Sequence, residues 1–271
     1  MKVAVEATFI TPPSLGGGVE PGVFGAMMMG ALPALMLLFY MLHPFEGLYS
    51  DRSSFNAFVV GMAFGVAVGV IHVAIDPFAL QALALAIIIF VIGFGVFDQF
   101  LRVVIWNSSR FTGRMETTFW GTAFGLGYGA MLSALWFYRS FTHPDIEINT
   151  WVVTAYIAAA FAFAVVHGAT GMLVGFGAAI GEVWRYGLLG IGLEAILNFL
   201  WYLALVSSIY TPSGVLPVWE MTVLSMSIAT VYGYAVLRWT MRRIVPELLP
   251  KDVMRLRRRL LRKQSRDGAK Q

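Results

Sequence analysis

Five polar groups interrupt stretches of sequence that are otherwise apolar, and they set what chemistry is open to this chain. An ionisable side chain inside an apolar span is costly, so each is a functional candidate until its partner is known. The first group is Asp98-Gln99-Phe100-Leu101-Arg102. Asp98 and Arg102 stand four residues apart, on one helical face. At that spacing they form an ion pair, or the carboxylate is free to activate water or coordinate a metal. The second is His167, in His167-Gly168-Ala169-Thr170-Gly171. A neutral imidazole there serves as a metal ligand, a proton shuttle or a hydrogen-bonded strut. The third is Glu194, which shares a face with Asn198 and has no cation within its own helix. It must be protonated, paired across helices or bound to a cation. His72 with Asp76 reads as a hydrogen-bonded cap near a helix end, and Glu182 with Arg185 as an interfacial pair. Taken together, Asp98, His167 and Glu194 offer a carboxylate–imidazole–carboxylate set, a donor combination suited to zinc or another divalent ion. The set works only if three separate helices meet.

Those helices must be membrane spans. The 271 residues are 58% hydrophobic and 13% charged, and mean hydropathy is +0.74. A water-soluble domain carries roughly 25% charged residues, so this chain has too little polar surface to cover a globule in water. Apolar stretches of about 20 residues, the length that crosses a bilayer, fall at Val23–Leu42, Phe55–Ala74, Phe78–Ile105, Thr117–Tyr138, Trp151–Ile180, Tyr186–Tyr210 and Val218–Trp239. The pattern predicts an all-α integral membrane protein of seven helices. The fifth stretch is long enough that a break near Gly168 or Gly171 would add an eighth segment.

Three regions follow: an extracytoplasmic N-terminal segment over 1–22, a transmembrane domain over 23–241 and a basic tail over 242–271. Lys2, Glu6, Pro12-Pro13 and Gly16-Gly17-Gly18 do not make a signal peptide. Arg52, Arg110, Arg114, Arg185 and the tail arginines fall on alternate loops, whereas the other loops carry Asp76, then Arg139 against Asp145 and Glu147, then Glu220. The Lys/Arg-rich side faces the cytoplasm, which puts the N-terminus outside and the tail inside. The tail reads as an anchor against anionic headgroups rather than a nucleic-acid contact. Glycines recur every four residues at Gly61, Gly65 and Gly69, at Gly121, Gly125 and Gly129, and in the pairs Gly171/Gly175 and Gly177/Gly181. Such GxxxG faces let helix backbones approach closely, within one chain or between two. Trp106, Trp120, Trp136, Trp151, Trp184 and Trp239 lie near span ends, where indole suits the headgroup region. With no cysteine, disulfides and thiolate metal sites are excluded. The four lysines, Lys2, Lys251, Lys263 and Lys270, all lie outside the spans, which excludes a retinal Schiff base.

Several segments together resemble a known family. Tyr49-Ser50-Asp51-Arg52 leads into a glycine-spaced span. Phe97-Asp98-Gln99-Phe100-Leu101-Arg102 stands where a Glu-Glu-x-x-Lys/Arg motif would. Gly121 to Tyr128 is glycine-rich, His167 to Gly171 is similar to a His-Ala-x-x-Thr segment, and Glu194 to Phe199 to His-Ala-x-x-Asn-Phe. In order and spacing, from Tyr49 to Leu203, the chain resembles the PrsW family of intramembrane metalloproteases, within the superfamily that contains the CAAX prenyl endopeptidases. The resemblance implies a metal-binding, water-activating site at Asp98, His167 and Glu194, supported by Gln99, Arg102 and Asn198. The departures are specific. The paired glutamates read Asp98-Gln99, a Glu-Asn reads Leu132-Ser133, and the second histidine reads Glu194. Gln99 is no base, and losing one member of a coupled catalytic set removes most of its rate.

Three functions are thus open. The chain is a degenerate protease-like protein that binds a transmembrane helix or serves in a membrane complex. Alternatively it is an active intramembrane metallopeptidase with an Asp/His/Glu zinc site, or an unrelated transporter or receptor. The expected partners are the lipid bilayer and transmembrane proteins, with no nucleic acid.

Overall fold

A computed structural model describes residues 21–75, 88–141, 148–210 and 218–248. Among them are seven long helices and no strand: α1 (Pro21–Leu42), α2 (Asp51–Ala74), α3 (Phe94–Trp106), α4 (Glu116–Phe141), α5 (Thr150–Ile180), α6 (Val183–Tyr210) and α7 (Val218–Trp239). They coincide one for one with the apolar stretches of the sequence. A π-helical turn, Ile88–Gly93, leads into α3. The start of that third stretch, Asp76, the loop carboxylates Asp145 and Glu147, the N-terminal segment and the tail from 249 lie outside the described residues.

Among the described residues, six helical segments are long and apolar enough to cross a membrane. The protein is an integral, multi-pass membrane protein. Helix α4 is the exception, because it carries Thr117, Thr118, Thr122 and Ser133 among its glycines. Those residues are fully buried. Lipid does not bathe this helix; it runs through the middle of the bundle, packed against α1, α2 and α5. A helix sheathed by other helices needs no strongly apolar face.

Helix α5 is continuous over 31 residues, so the fifth stretch is one span without a break at Gly168 or Gly171. At its start the Asn149 side chain accepts from the backbone N–H of Trp151 and Val152, which satisfies two of the open donors of a helix N-terminus. It ends at Gly181, whose φ of 80° is the left-handed conformation glycine adopts without strain. Gly181 is therefore a helix stop. Gly177 meets the Tyr186 side chain instead of a helix backbone, so Gly177/Gly181 is no packing face.

The other glycine runs do pack. A Cβ on Gly121, Gly125 or Gly129 would strike the carbonyl oxygens of Gly171, His167 and Phe163 on α5. On the opposite side of α4, a Cβ on Gly61 or Gly65 would strike the carbonyl oxygens of Phe124 and Tyr128. Backbone-to-backbone approach thus joins α2, α4 and α5 into one slab. The glycine faces are consumed within the chain.

Helix α3 is placed differently. It packs on α6, and its contacts toward α2 and α4 run through long side chains. The polar residues fill that wider gap. Several tryptophans also depart from the headgroup expectation. Trp106 and Trp136 are buried in aromatic clusters, whereas Trp151, Trp184 and Trp239 are exposed at span ends.

Candidate functional site

Asp98, His167 and Glu194 come from three helices and are all buried. One ligand-type atom from each lies within 4.8 Å of the others. The three separate helices that the set requires therefore meet.

Their bonding differs from the local pairing the sequence suggests. Arg102 does not bond to Asp98, its neighbour one turn away. Its guanidinium reaches across the gap to three groups at once: Nη1 donates to Glu194 Oε1 at 2.5 Å and to Thr170 Oγ1 at 2.8 Å, and Nη2 stands 2.7 Å from His167 Nδ1. Glu194 is accordingly paired across helices, one of the three states open to it. The same Oε1 receives Thr170 Oγ1 at 2.8 Å and lies 2.8 Å from His167 Nδ1. The Tyr128 ring lies under the guanidinium, 4.8 Å from its centre, a cation–π contact. A planar, multiply donating cation suits this task in a way a lysine ammonium does not.

One nitrogen carries two demands. His167 Nδ1 must hold a lone pair to accept from Arg102 and a proton to donate to Glu194. Each neutral tautomer meets one of them and leaves Nε2 with the opposite character. His167 Nε2, Glu194 Oε2 and Arg102 Nε are buried without a hydrogen-bond partner.

Asp98, on the same face of α3, contacts a different helix. Its Oδ1 lies 3.2 Å from His72 Nε2, and the His72 ring stacks on Phe94 at 3.7 Å. The contact is close, yet neither atom has hydrogen-bond geometry. His72 thus belongs to the site, which reasoning from the sequence alone missed by pairing it with Asp76. A signal existed: His72 continues the Gly61, Gly65, Gly69 face, at a spacing that points it inward. Thr170 and Tyr128 also belong and were not singled out.

The supporting residues divide. Gln99 is buried against α6, where a Cβ on Gly190 would meet its amide, and neither amide atom has a partner. Asn198 forms no hydrogen bond to Glu194. Its Nδ2 lies 3.4 Å from the Val91 carbonyl oxygen in the π-helical turn, so it serves the backbone leading into α3. At the far end of α6, Glu182 and Arg185 form the expected pair at 2.8 Å.

A metal-ion reading must accommodate this arrangement. Two carboxylates and an imidazole are the right donors, and Asp98 Oδ1, His167 Nε2 and Glu194 Oε2 are unpartnered. Against that, ligand bonds are about 2 Å long, so the 4.8 Å spread must contract. The Arg102 guanidinium also already stands on Glu194. No protein-family model matches this chain, and no curated protein or solved structure matches it significantly, so its likeness to the PrsW family rests on the motifs alone.

Proposed function

We propose that this multi-pass membrane protein is a protease-like pseudoenzyme of PrsW-like type, in which Arg102 stands where a metal ion would. It acts by binding a transmembrane partner, as a subunit of a membrane complex, with its tail in the cytoplasm. The observation that carries this reading is the single guanidinium bonded to Glu194 and Thr170 and in contact with His167. Arginine supplies positive charge to the Glu194 carboxylate permanently, since its side chain does not lose its proton in proteins. A divalent ion beside it would face like charge at a few ångströms in a low-dielectric interior. The sequence departures agree, because Gln99 and Leu132 replace acidic groups of the family pattern.

Metal analysis of purified full-length protein tests this. The expected result is much less than one zinc, manganese or iron per chain, in the wild type and in Glu194→Gln alike. Stoichiometric metal in the wild type that disappears in Glu194→Gln overturns it. That outcome favours the second reading, an active metallopeptidase, which draws on the unpartnered atoms of Asp98, His167 and Glu194. Cleavage of a transmembrane reporter lost in the same variant would establish that alternative.

A further inference from the structure

A second feature lies one to two turns beyond Arg102, where the first turns of α2 and the end of α3 diverge at the foot of the bundle. The cavity there has a volume of about 330 Å³ and is walled by α2, α3, α4 and the 107–115 connection. That is within the usual range for small-molecule pockets. Three properties define its occupant. Its mouth carries Arg110 and Arg114, both exposed. Among the described residues neither forms an ion pair, although exposed Glu116 is two positions from Arg114. Apart from Ser53 and Asn56 on α2, its wall is apolar and aromatic, with Val60, Ile105 and Phe124 beside Trp106 and Phe111, whose rings meet edge-on at 4.9 Å. Its wall also holds the indoles of Trp106 and Trp120, whose N–H groups are buried without acceptors.

Level in the membrane adds a constraint. The cavity sits where two apolar helices end and a polar connection begins, the depth of headgroup phosphates. Val60 and Phe64 carry its apolar wall outward along the exposed face of α2. The ligand therefore needs a negative charge at one end and a hydrocarbon chain at the other.

We propose that this cavity binds an anionic phospholipid, with its phosphodiester between Arg110 and Arg114 and an acyl chain against Val60, Ile105 and Phe124. Two cations with no ion-pair partner among the described residues, above an apolar slot open to lipid, favour a headgroup of net charge −1 over a zwitterionic one, whose ammonium they repel. The site is separate from the Arg102 centre and does not depend on whether that centre is catalytic.

The test uses full-length protein in phosphatidylcholine vesicles, titrated with phosphatidylglycerol or phosphatidylcholine brominated on the acyl chains, with tryptophan fluorescence as the readout. Quenching by surrounding lipid is common to both and attraction of anionic lipid by the tail is common to wild type and variant, so the part of the difference that depends on Arg110 and Arg114 isolates the site. The expected result is about tenfold tighter quenching by the anionic lipid. This preference should vanish in Arg110→Gln/Arg114→Gln and its amplitude should fall in Trp120→Phe. Both arginines are exposed, and circular dichroism checks that the double variant folds. Native mass spectrometry of the wild type, with one phosphatidylglycerol retained per chain, supports the site without any variant. Equal quenching by the two lipids overturns the proposal, as does a preference that survives removal of both arginines. Loss of the preference in millimolar inorganic phosphate would reassign the pocket to free phosphate. A polypeptide cross-linked into the cavity in place of lipid would also overturn it.

Discussion

The Arg102–Glu194 contact joins α3 to α6 through fully buried charges. Removing one partner of such a pair leaves the other buried and uncompensated, at a cost of about 3–5 kcal/mol. Arg102→Met should therefore destabilise the bundle by roughly that amount, read from unfolding in mixed micelles. Arg102→Met with Glu194→Gln should recover a large part of the loss, because neither member of the pair then stands charged without the other. A double variant as unstable as the sum of the singles would mean that the pair is not coupled. Arg102→Lys should recover little, since one ammonium cannot hold Thr170, His167 and Glu194 in one plane. His72 makes a smaller claim. In His72→Ala the Asp98 carboxylate loses its 3.2 Å neighbour and Phe94 its stacking partner, a loss of about 0.5–3 kcal/mol. His72→Ala indistinguishable from wild type would return His72 to a packing role. At this scale the sequence pointed to Asp98, His167 and Glu194, because charge and imidazole in an apolar span stand out. It could not pair them. Arg102 has Asp98 one turn away and still bonds to residues 65, 68 and 92 positions distant.

At the level of helices, the bundle has a tight side and a wide side. Glycine contacts bring α2, α4 and α5 together, and side chains hold α3 away from them. Gly125 and Gly192 provide a matched test. A Cβ at Gly125 strikes the His167 carbonyl, whereas one at Gly192 meets nothing. Gly125→Ala should cost on the order of 1–3 kcal/mol and displace His167, its contact on α5. Gly192→Ala should stay within about 0.5 kcal/mol by the same unfolding assay. Equal tolerance at both positions would refute backbone contact between α4 and α5. The glycine spacing was legible, and so was its meaning as close approach. The partner of each face was not, and Gly177/Gly181 shows why: equal spacing serves a packing face in one place and a helix stop in another.

For the molecule as a whole, the prediction is topological. Seven spans with Lys and Arg concentrated on alternate loops would put the N-terminus outside and the tail in the cytoplasm. Reporters inserted after Gly268 and within the 211–217 connection should lie on opposite sides of the membrane. Because the chain has no cysteine, single introduced cysteines labelled from either side give an independent reading. Two reporters on the same side would require a span fewer or more. The inner leaflet is also where anionic headgroups attract basic segments, so the same result would place Arg110 and Arg114 beside them.

The sequence alone determined that this is a helical membrane protein and where the seven long helices among the described residues run, and it singled out the few polar residues inside them. Each of those follows from the solvent: lipid tolerates almost no polar group, so every apolar run of sufficient length and every exception to it is visible in one dimension. The tertiary structure alone decided that α4 is an inner helix sheathed by protein, that His72 faces Asp98, and that Arg102 answers Glu194 and His167 at once. Those outcomes depend on how far each helix rotates and how closely it crosses its neighbours. Such distances are set jointly by glycines and bulky side chains on several helices, and no single stretch of sequence contains them.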